Sequence, residues 1–438
     1  MTDRRGAPAI VGSLDGSGTA TVDAAGRVDC AGTELFLDWW IGGDDAWHIP
    51  SDEVGVRQHL LGVAPVVETT VRVSGGEAVQ RVYGVAGSDA IAVEVENRSP
   101  TPFVVAFVLR PSAIGRKGEV ALEGATVTVG GRPALVLPRP PQRWAVVEDL
   151  KGGVRDVVVS GRASEGAFVP VRSKRIVESA FLFPVAHRTT SRVALVVDAR
   201  HAAALDPVAL PDAETVRRGW DVMLERGARA VLPAPLTTAL DAARAALLLA
   251  GRPHRSVSAT TVAALEDWGF DAEAAAGWGA LGMRARRTAA RRDPSPTTAW
   301  ARLQSYLAAA SDAWAFPGGP APFLGAVRDL LVHDRGDAVD LVPAFPQQWL
   351  GADVEVHDLP LRRGKLSFAI RWHGARPAML WDAPAEVRLR APTLDPAFDA
   401  SGGAGEALLA EPEPSLLALG APDPDRPGVD VDEPGDFR

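Results

Sequence analysis

The sequence predicts an α+β protein, mainly β: a large N-terminal antiparallel β-sandwich, a reduced helical-hairpin domain, and a small C-terminal β-sheet domain. Three observations predict it. Through about residue 200, short runs rich in Val and Thr are separated by Gly, Pro and Asn turns, the pattern of half-buried strands. Between Asp212 and Arg335 the apolar period lengthens to about 3.6, that of a helix with one buried face. From Asp337 to Asp382 the period returns to two. The expected boundaries are 1–205 for the sandwich, 212–335 for the helices, 337–394 for the last sheet and 395–438 for an acidic, disordered tail.

The strands come first. Val66 to Val73 and Ala78 to Val85 flank Ser74-Gly75-Gly76-Glu77, a tight hairpin turn. Ala90 to Asn97 and Phe103 to Leu109 make a second pair around Arg98-Ser99-Pro100-Thr101-Pro102. Val120 to Val129 and Pro133 to Leu137 flank Gly130-Gly131. Further strands are expected at Trp144–Glu148, Val154–Ser160, Ile176–Phe183 and Ser191–Val197. So many short strands at this spacing imply two packed antiparallel sheets.

Six helices, or three hairpins, follow. Asp212 is an N-cap for a helix carrying Val216, Trp220, Met223 and Leu224 on one side. Thr237 or Thr238 opens Ala239 to Ala250, and Gly251 can end it in the left-handed conformation. Ser258 starts a helix reaching Trp268, and Gly269 closes it. Asp271 caps the next, from Ala272 to about Ala290. Ser295 or Thr297 opens a helix with Trp300, Leu303 and Leu307 on one stripe. Pro320 to His333 is the last, with Phe323, Leu324, Val327, Leu330 and Leu331 apolar. These stripes need cover, from the two sheets first and from a homodimer second.

The last sheet is expected as an antiparallel unit. Val339–Val342 is a strand, Ala344-Phe345-Pro346-Gln347-Gln348-Trp349 a Pro-broken turn, Asp353–His357 an alternating strand, Leu366–Trp372 the next, and Ala378–Trp381 the return. Beyond it, residues 395–438 hold 11 carboxylates and 2 arginines, the whole formal charge of −9. With their Pro and Gly content and few aromatics, they cannot bury enough surface to order themselves.

Residues 1–394 are therefore neutral, with 44 basic and 44 acidic groups. That argues against a nucleic-acid-binding face, which needs a basic excess, and gives no sign of a membrane-surface partner. No apolar run approaches the length of a spanning helix, and no signal-peptide core follows Met1-Thr2-Asp3-Arg4-Arg5-Gly6, so a cytoplasmic protein is expected. Cys30 stands alone among 438 residues, which excludes an intrachain disulfide and fits a reducing compartment. Arginine outnumbers lysine 42 to 4, read as coding bias rather than function. A Ser elbow, a Walker A loop and a dinucleotide fingerprint in context are all absent, so no cofactor is expected. The 8 histidines show no H-x-x-H or H-x-x-x-H spacing, so no metal is expected either.

The last-sheet motifs are Leu341-Val342-Pro343 leading to Trp349-Leu350-Gly351, Leu359-Pro360 to Gly364, Ile370-Arg371-Trp372-His373-Gly374, Arg376-Pro377 and Leu380-Trp381. Together they resemble the C-terminal β-domain of six-hairpin glycosidases, the glucoamylase-like, trehalase-like and rhamnosidase-like enzymes. The order of sandwich, helices and small sheet resembles theirs too. The resemblance implies a sandwich packed against the helices that helps to shape the site. It also implies metal-free hydrolysis by two carboxylates, one protonating the leaving oxygen and one activating water. The chain departs from that pattern twice. Twelve helices with their loops need on the order of 190 residues, and 212–335 supplies 124. Where related barrels carry Trp-Pro-Glu, this chain has Trp314-Ala315-Phe316-Pro317-Gly318.

The acidic candidates are Glu266 and Asp267 beside Trp268, and Asp312 beside Trp314; each also reads as a solvated acid near a helix end. The densest polar-aromatic cluster is Asp38-Trp39-Trp40-Ile41-Gly42-Gly43-Asp44-Asp45-Ala46-Trp47-His48. Indoles stack on sugar rings and Asp and His fix hydroxyls, so Trp39, Trp40, Asp44, Asp45, Trp47 and His48, with Trp268 and Trp314, are the candidate carbohydrate contacts. Equally, Trp39 or Trp40 could anchor the sandwich core while 42–45 forms a turn. The expected function is a carbohydrate-binding or scaffold relative of these glycosidases with a degenerate barrel. The alternative is an active intracellular glycoside hydrolase acting on an oligosaccharide or glucan.

Overall fold

The Val-rich runs of the first 200 residues are strands of two nine-stranded sheets that pack face to face. The computed structural model of the chain describes residues 8–417, except 17, 31–32, 112–117, 149–152, 174–176, 253–256, 290–294, 310–313, 315 and 317. Over these residues the protein is α+β and mainly β. The first sheet is centred on Leu35–Gly42, Phe103–Pro111, Val177–Val185 and Arg143–Glu148, all antiparallel. The second is centred on Thr190–Val196, Ala90–Asn97, Gly76–Val85 and Val66–Val73. Alternation sets what each strand buries: Leu37, Trp39 and Ile41 point into the core between the sheets, with Phe107, Phe181 and Val93.

Trp40 points the other way, and its face is also covered. Helix α1, Gly153–Val159, lies on the outside of the first sheet and brings Val154 and Val158 against Trp40, Ala106, Val108 and Ala180. The sequence reads this segment as a strand because of its Val run. Val154 and Val158 stand one helical turn apart, and that spacing against an apolar sheet face outweighs β-branched propensity. Val120 to Val129 is likewise two strands, Gly118–Glu123 and Thr126–Val129, which turn at Gly124 with φ +63°.

Between residues 213 and 331 seven helices follow among the described residues: α2 Ala213–Glu225, α3 Leu236–Ala250, α4 Ala259–Asp267, α5 Asp271–Leu281, α6 Met283–Ala289, α7 Pro296–Ala309 and α8 Pro320–Leu331. Asp212 caps α2 by accepting from the Thr215 N–H, and Ser258 caps α4 by accepting from the Thr261 N–H. Three expectations change. Residues 272–290 are not one helix, because Gly282 at φ +83° breaks them into α5 and α6. Gly251 ends α3 at φ −86°, not in the left-handed region; a Cβ there would meet Leu265 Cδ1 at 2.5 Å. The first α3 residue is Leu236, and Thr237 uses its hydroxyl on the Leu232 backbone instead.

The apolar stripes of these helices share one core with the second sheet (Val66, Tyr83, Val85) and with the third sheet (Val356, Phe368, Ile370, Met379). At the sandwich junction the buried Glu94 carboxylate accepts from the Ala213 N–H at 2.9 Å, at the start of α2, where it complements the helix dipole. Tyr83 hydrogen bonds to it as well; burial, then the Glu94 charge, holds that phenol far above its ordinary range.

The third sheet runs Arg229–Val231, Val354–Leu361, Gly364–His373, Arg376–Ala391, Ala338–Leu341, Val332–Asp334 in space, with Asp395–Leu408 along Arg376–Ala391. It is not wholly antiparallel, since Ala338–Leu341 pairs parallel to Arg376–Ala391. The expectation of disorder from residue 395 is also corrected. Asp395–Leu408 is a strand, and Leu394, Phe398, Leu409 and Leu417 are buried. Register shifts let this strand and its neighbour curl, so that Phe398 meets Trp381 edge-on at 5.5 Å. Asp395 then accepts from the Ala410 N–H at 2.9 Å across the closed curl. Residues 418–438 lie outside the described residues.

Candidate functional site

Glu266 and Asp267 end α4, and what holds that end is Trp268. Its indole is fully buried and donates to the Leu324 carbonyl at 3.3 Å, pinning α4 to α8. Gly269 at φ +75° then turns the chain sharply back. The two acids are left at the edge of a depression of about 420 Å³ between α4, α5, α6, α8 and the third sheet. Asp329 of α8 and Asp334 of the following strand line it too, so four carboxylates adjoin one concavity. Arg286, Arg328 and Arg362 line it as well.

Glu266 is held on both oxygens, by Trp278 Nε1 at 2.9 Å and by Arg286 Nη2 at 2.6 Å. Arg328 ties the floor together: it donates to the Asp267 carbonyl at 2.9 Å and the Pro360 carbonyl at 2.6 Å, with its Nε 3.7 Å from Asp267 Oδ1. Asp329 pairs with Arg302 at 2.7 Å. Asp334 accepts from the Gly336 and Arg362 N–H groups at 2.8 and 2.7 Å. Sequence reasoning finds Glu266 and Asp267 but misses Arg286, Arg328, Asp329, Asp334 and Trp278. Nothing local marks them, because they come from four elements and meet only through tertiary packing.

The Asp38–His48 cluster has a different use. Trp39 is 1% and Trp40 3% exposed, so neither can stack on a sugar; Trp39 also donates its N–H to the Ala25 carbonyl. Trp268 is excluded as a stacking surface by the same burial. Trp47 is half-buried and lies against Gly42, where any Cβ would meet its ring at about 3.0 Å. Asp44 and Asp45 are exposed in the hairpin turn closed by the Gly43 N–H to Ala46 carbonyl bond. His48 sits between Asp45 and Glu53, each at 3.1 Å, and that bond to His48 holds the Asp45 carboxyl below the usual range.

Asp312 lies outside the described residues. Trp314 lines a separate apolar crevice of about 390 Å³ between α3, the first strand and the start of α8. Gly318 and Gly319 have φ of +78° and +91°, a backbone that a glutamate would adopt only under strain. Cys30 is buried, and that burial, with the Asp29 charge, pushes its thiol up to about 12, which leaves no reactive thiolate.

No helix among the described residues is long and apolar enough to cross a membrane. No family model and no curated protein matches the chain. Among solved structures, a bacterial glucoamylase complexed with acarbose is similar at 8% identity with a TM-score of 0.45, over 63% of this chain and 50% of that one. The chain therefore spans about half the length of that glucoamylase.

Proposed function

We propose that the chain binds carbohydrate, as a relative of six-hairpin glycosidases with a degenerate barrel, and that the depression beside Glu266 is its ligand site. One observation carries the reading. Four acidic and three arginine residues line a single space of about 420 Å³, so fixed donors and acceptors converge there with little net charge. Sugar hydroxyls both donate and accept, and such a lining suits a neutral polyol.

The same lining favours binding over turnover. Hydrolysis needs one carboxylic acid able to deliver a proton and a second carboxylate to attack or to activate water. Here both oxygens of Glu266 already accept, from Trp278 and Arg286, while Asp329 and Asp334 accept from structural donors. The hydrolase reading keeps one point in its favour, because Glu266 and Asp267 adjoin the same concavity. In that case Arg286 must leave Glu266 before catalysis.

Calorimetric titration with maltooligosaccharides, trehalose and rhamnosides, paired with a reducing-sugar assay, tests both. The expected result is binding without turnover, weakened at least about tenfold by Glu266→Gln. Turnover that disappears in Glu266→Gln would establish the hydrolase instead, and no binding of any of these sugars would refute both readings.

A further inference from the structure

At the end of the second sheet, three side chains from two segments converge, each offering one atom that could ligate a metal ion. Asp89 sits in the turn before Ala90–Asn97, at φ +46°. Asp198 and His201 belong to the 3-10 turn that follows Thr190–Val196. Asp89 Oδ2 lies 3.3 Å from His201 Nδ1, and one ligand atom from each of the three residues lies within 4.8 Å of the others. The carboxylates are mostly buried, at 15% and 17% exposed, while the imidazole is open at 47%.

The N-terminal turn packs onto the same place, and Ser13 in it is only 6% exposed. It faces Asp89 Oδ1 across Gly16, where a Cβ would collide with both oxygens. Glycine keeps that space open. The turn that carries Ser13 and Gly16 is held rigidly, since the buried Arg252 donates to the Ser13 and Gly18 carbonyls at 2.9 and 2.8 Å. Asp15 of the same turn accepts from the Gly87 N–H at 2.6 Å, which ties the turn to the loop before Asp89.

We propose that Asp89, Asp198 and His201 form a divalent-metal site of the zinc type, which braces the N-terminal hairpin and the 86–89 turn against the end of the sandwich. One imidazole with carboxylate oxygens suits a first-row transition ion, whereas calcium and magnesium prefer all-oxygen sets. A guanidinium holds part of the place: Arg200 Nε donates to both Asp198 oxygens, at 3.1 and 2.9 Å. Arg200 is 84% exposed, so a metal ion displaces it at little cost. The inference is independent of the glycan reading.

The test is titration of the full chain with Zn2+ by calorimetry, with Ca2+ in parallel and melting followed with and without EDTA. One Zn2+ site is expected, with a melting temperature that rises with Zn2+ concentration. His201→Ala and Asp89→Asn should each weaken it at least about tenfold; Asn tolerates the left-handed backbone at position 89, so that variant folds. Arg200→Ala should strengthen it severalfold by releasing Asp198. Zn2+ affinity unchanged in both ligand variants, Ca2+ binding as tight as Zn2+, or no Zn2+ binding at all would each overturn the proposal.

Discussion

The Asp38–His48 hairpin and the α4–α6 segment hold the same kinds of side chain, and the fold uses them in opposite ways. In the hairpin, alternation sends Trp39 into one apolar layer and Trp40 into another, and the acids are left in a solvated turn. In the helices the aromatics are again buried, but Trp268 and Trp278 anchor acids at the edge of a concavity. Local richness in Trp, Asp and His thus marks packing as readily as binding. Convergence of groups from separate elements is what distinguishes the second region.

The largest effect expected from breaking this arrangement comes from the C-terminal strand. Ending the chain after Pro392 removes Leu394, Phe398, Leu409 and Leu417, each worth about 1.5–3 kcal/mol when buried. It also removes the Thr393 hydroxyl, which bridges the Phe345 N–H and the Val342 carbonyl. Thermal melting should show the third sheet lost and glycan binding lost with it, since Pro360 and Arg362 border the depression. A chain ending after Leu417 keeps all of these contacts and should melt as the full chain does.

Next in size are the sandwich tryptophans. Trp39→Ala and Trp40→Ala should each cost about 3–5 kcal/mol in denaturant titrations and leave the affinity of the folded fraction for glycan unchanged. Trp47→Ala, at a half-buried position, should cost less than either. A large loss of affinity with unchanged stability in any of the three would return the ligand site to the hairpin.

What was legible in the sequence follows the range of the interaction. Asp212 and Ser258 are read correctly as caps because a cap acts over three residues. The hairpin at Gly75 and the strands around it follow from period two for the same reason. Val154–Ser160 is misread because its partner, the outer face of the first sheet, is assembled from the neighbouring strand Arg143–Glu148 together with Trp40, Ala106, Val108 and Ala180 from distant strands. Asp395–Leu408 is misread because composition reports the lack of large side chains. It does not report that Gly402 and Gly405 are needed where a Cβ would strike Pro384 and Trp381. Arg328 and Asp267 are 61 residues apart, and no spacing rule joins them.

A smaller effect sharpens the capping argument through pH. Hydrogen bonds from Thr215, its side chain first and its N–H second, hold the Asp212 carboxyl below its ordinary range. A folded pKa below the unfolded one gives stability that is present above about pH 4 and is lost as pH falls through the folded value. Asp212→Ala should remove roughly 0.5–2 kcal/mol at neutral pH. Asp212→Asn should keep most of the cap but lose this part of the acid dependence, so comparing the two stability curves between pH 2 and 5 separates the hydrogen bond from the charge.

The smallest stability effect should belong to the residues that matter most for the proposed site. Arg286 and Glu266 are 47% and 43% exposed, and α6 buries none of its residues, so their ion pair contributes roughly 0.2–1 kcal/mol at most. Arg286→Ala should therefore shift melting only slightly. It also frees Glu266 Oε1, and the consequence depends on what the pair does. If the guanidinium is one of the donors that receive a sugar, affinity falls in Arg286→Ala and stays low in Arg286→Lys, whose single ammonium cannot reproduce the planar fork. If Arg286 only shields Glu266, the Ala variant binds as well as or better than the parent and begins to release reducing sugar. Melting curves, titrations and turnover measured on the same preparations distinguish these outcomes, because the first lowers affinity without activity and the second raises activity without a loss of affinity.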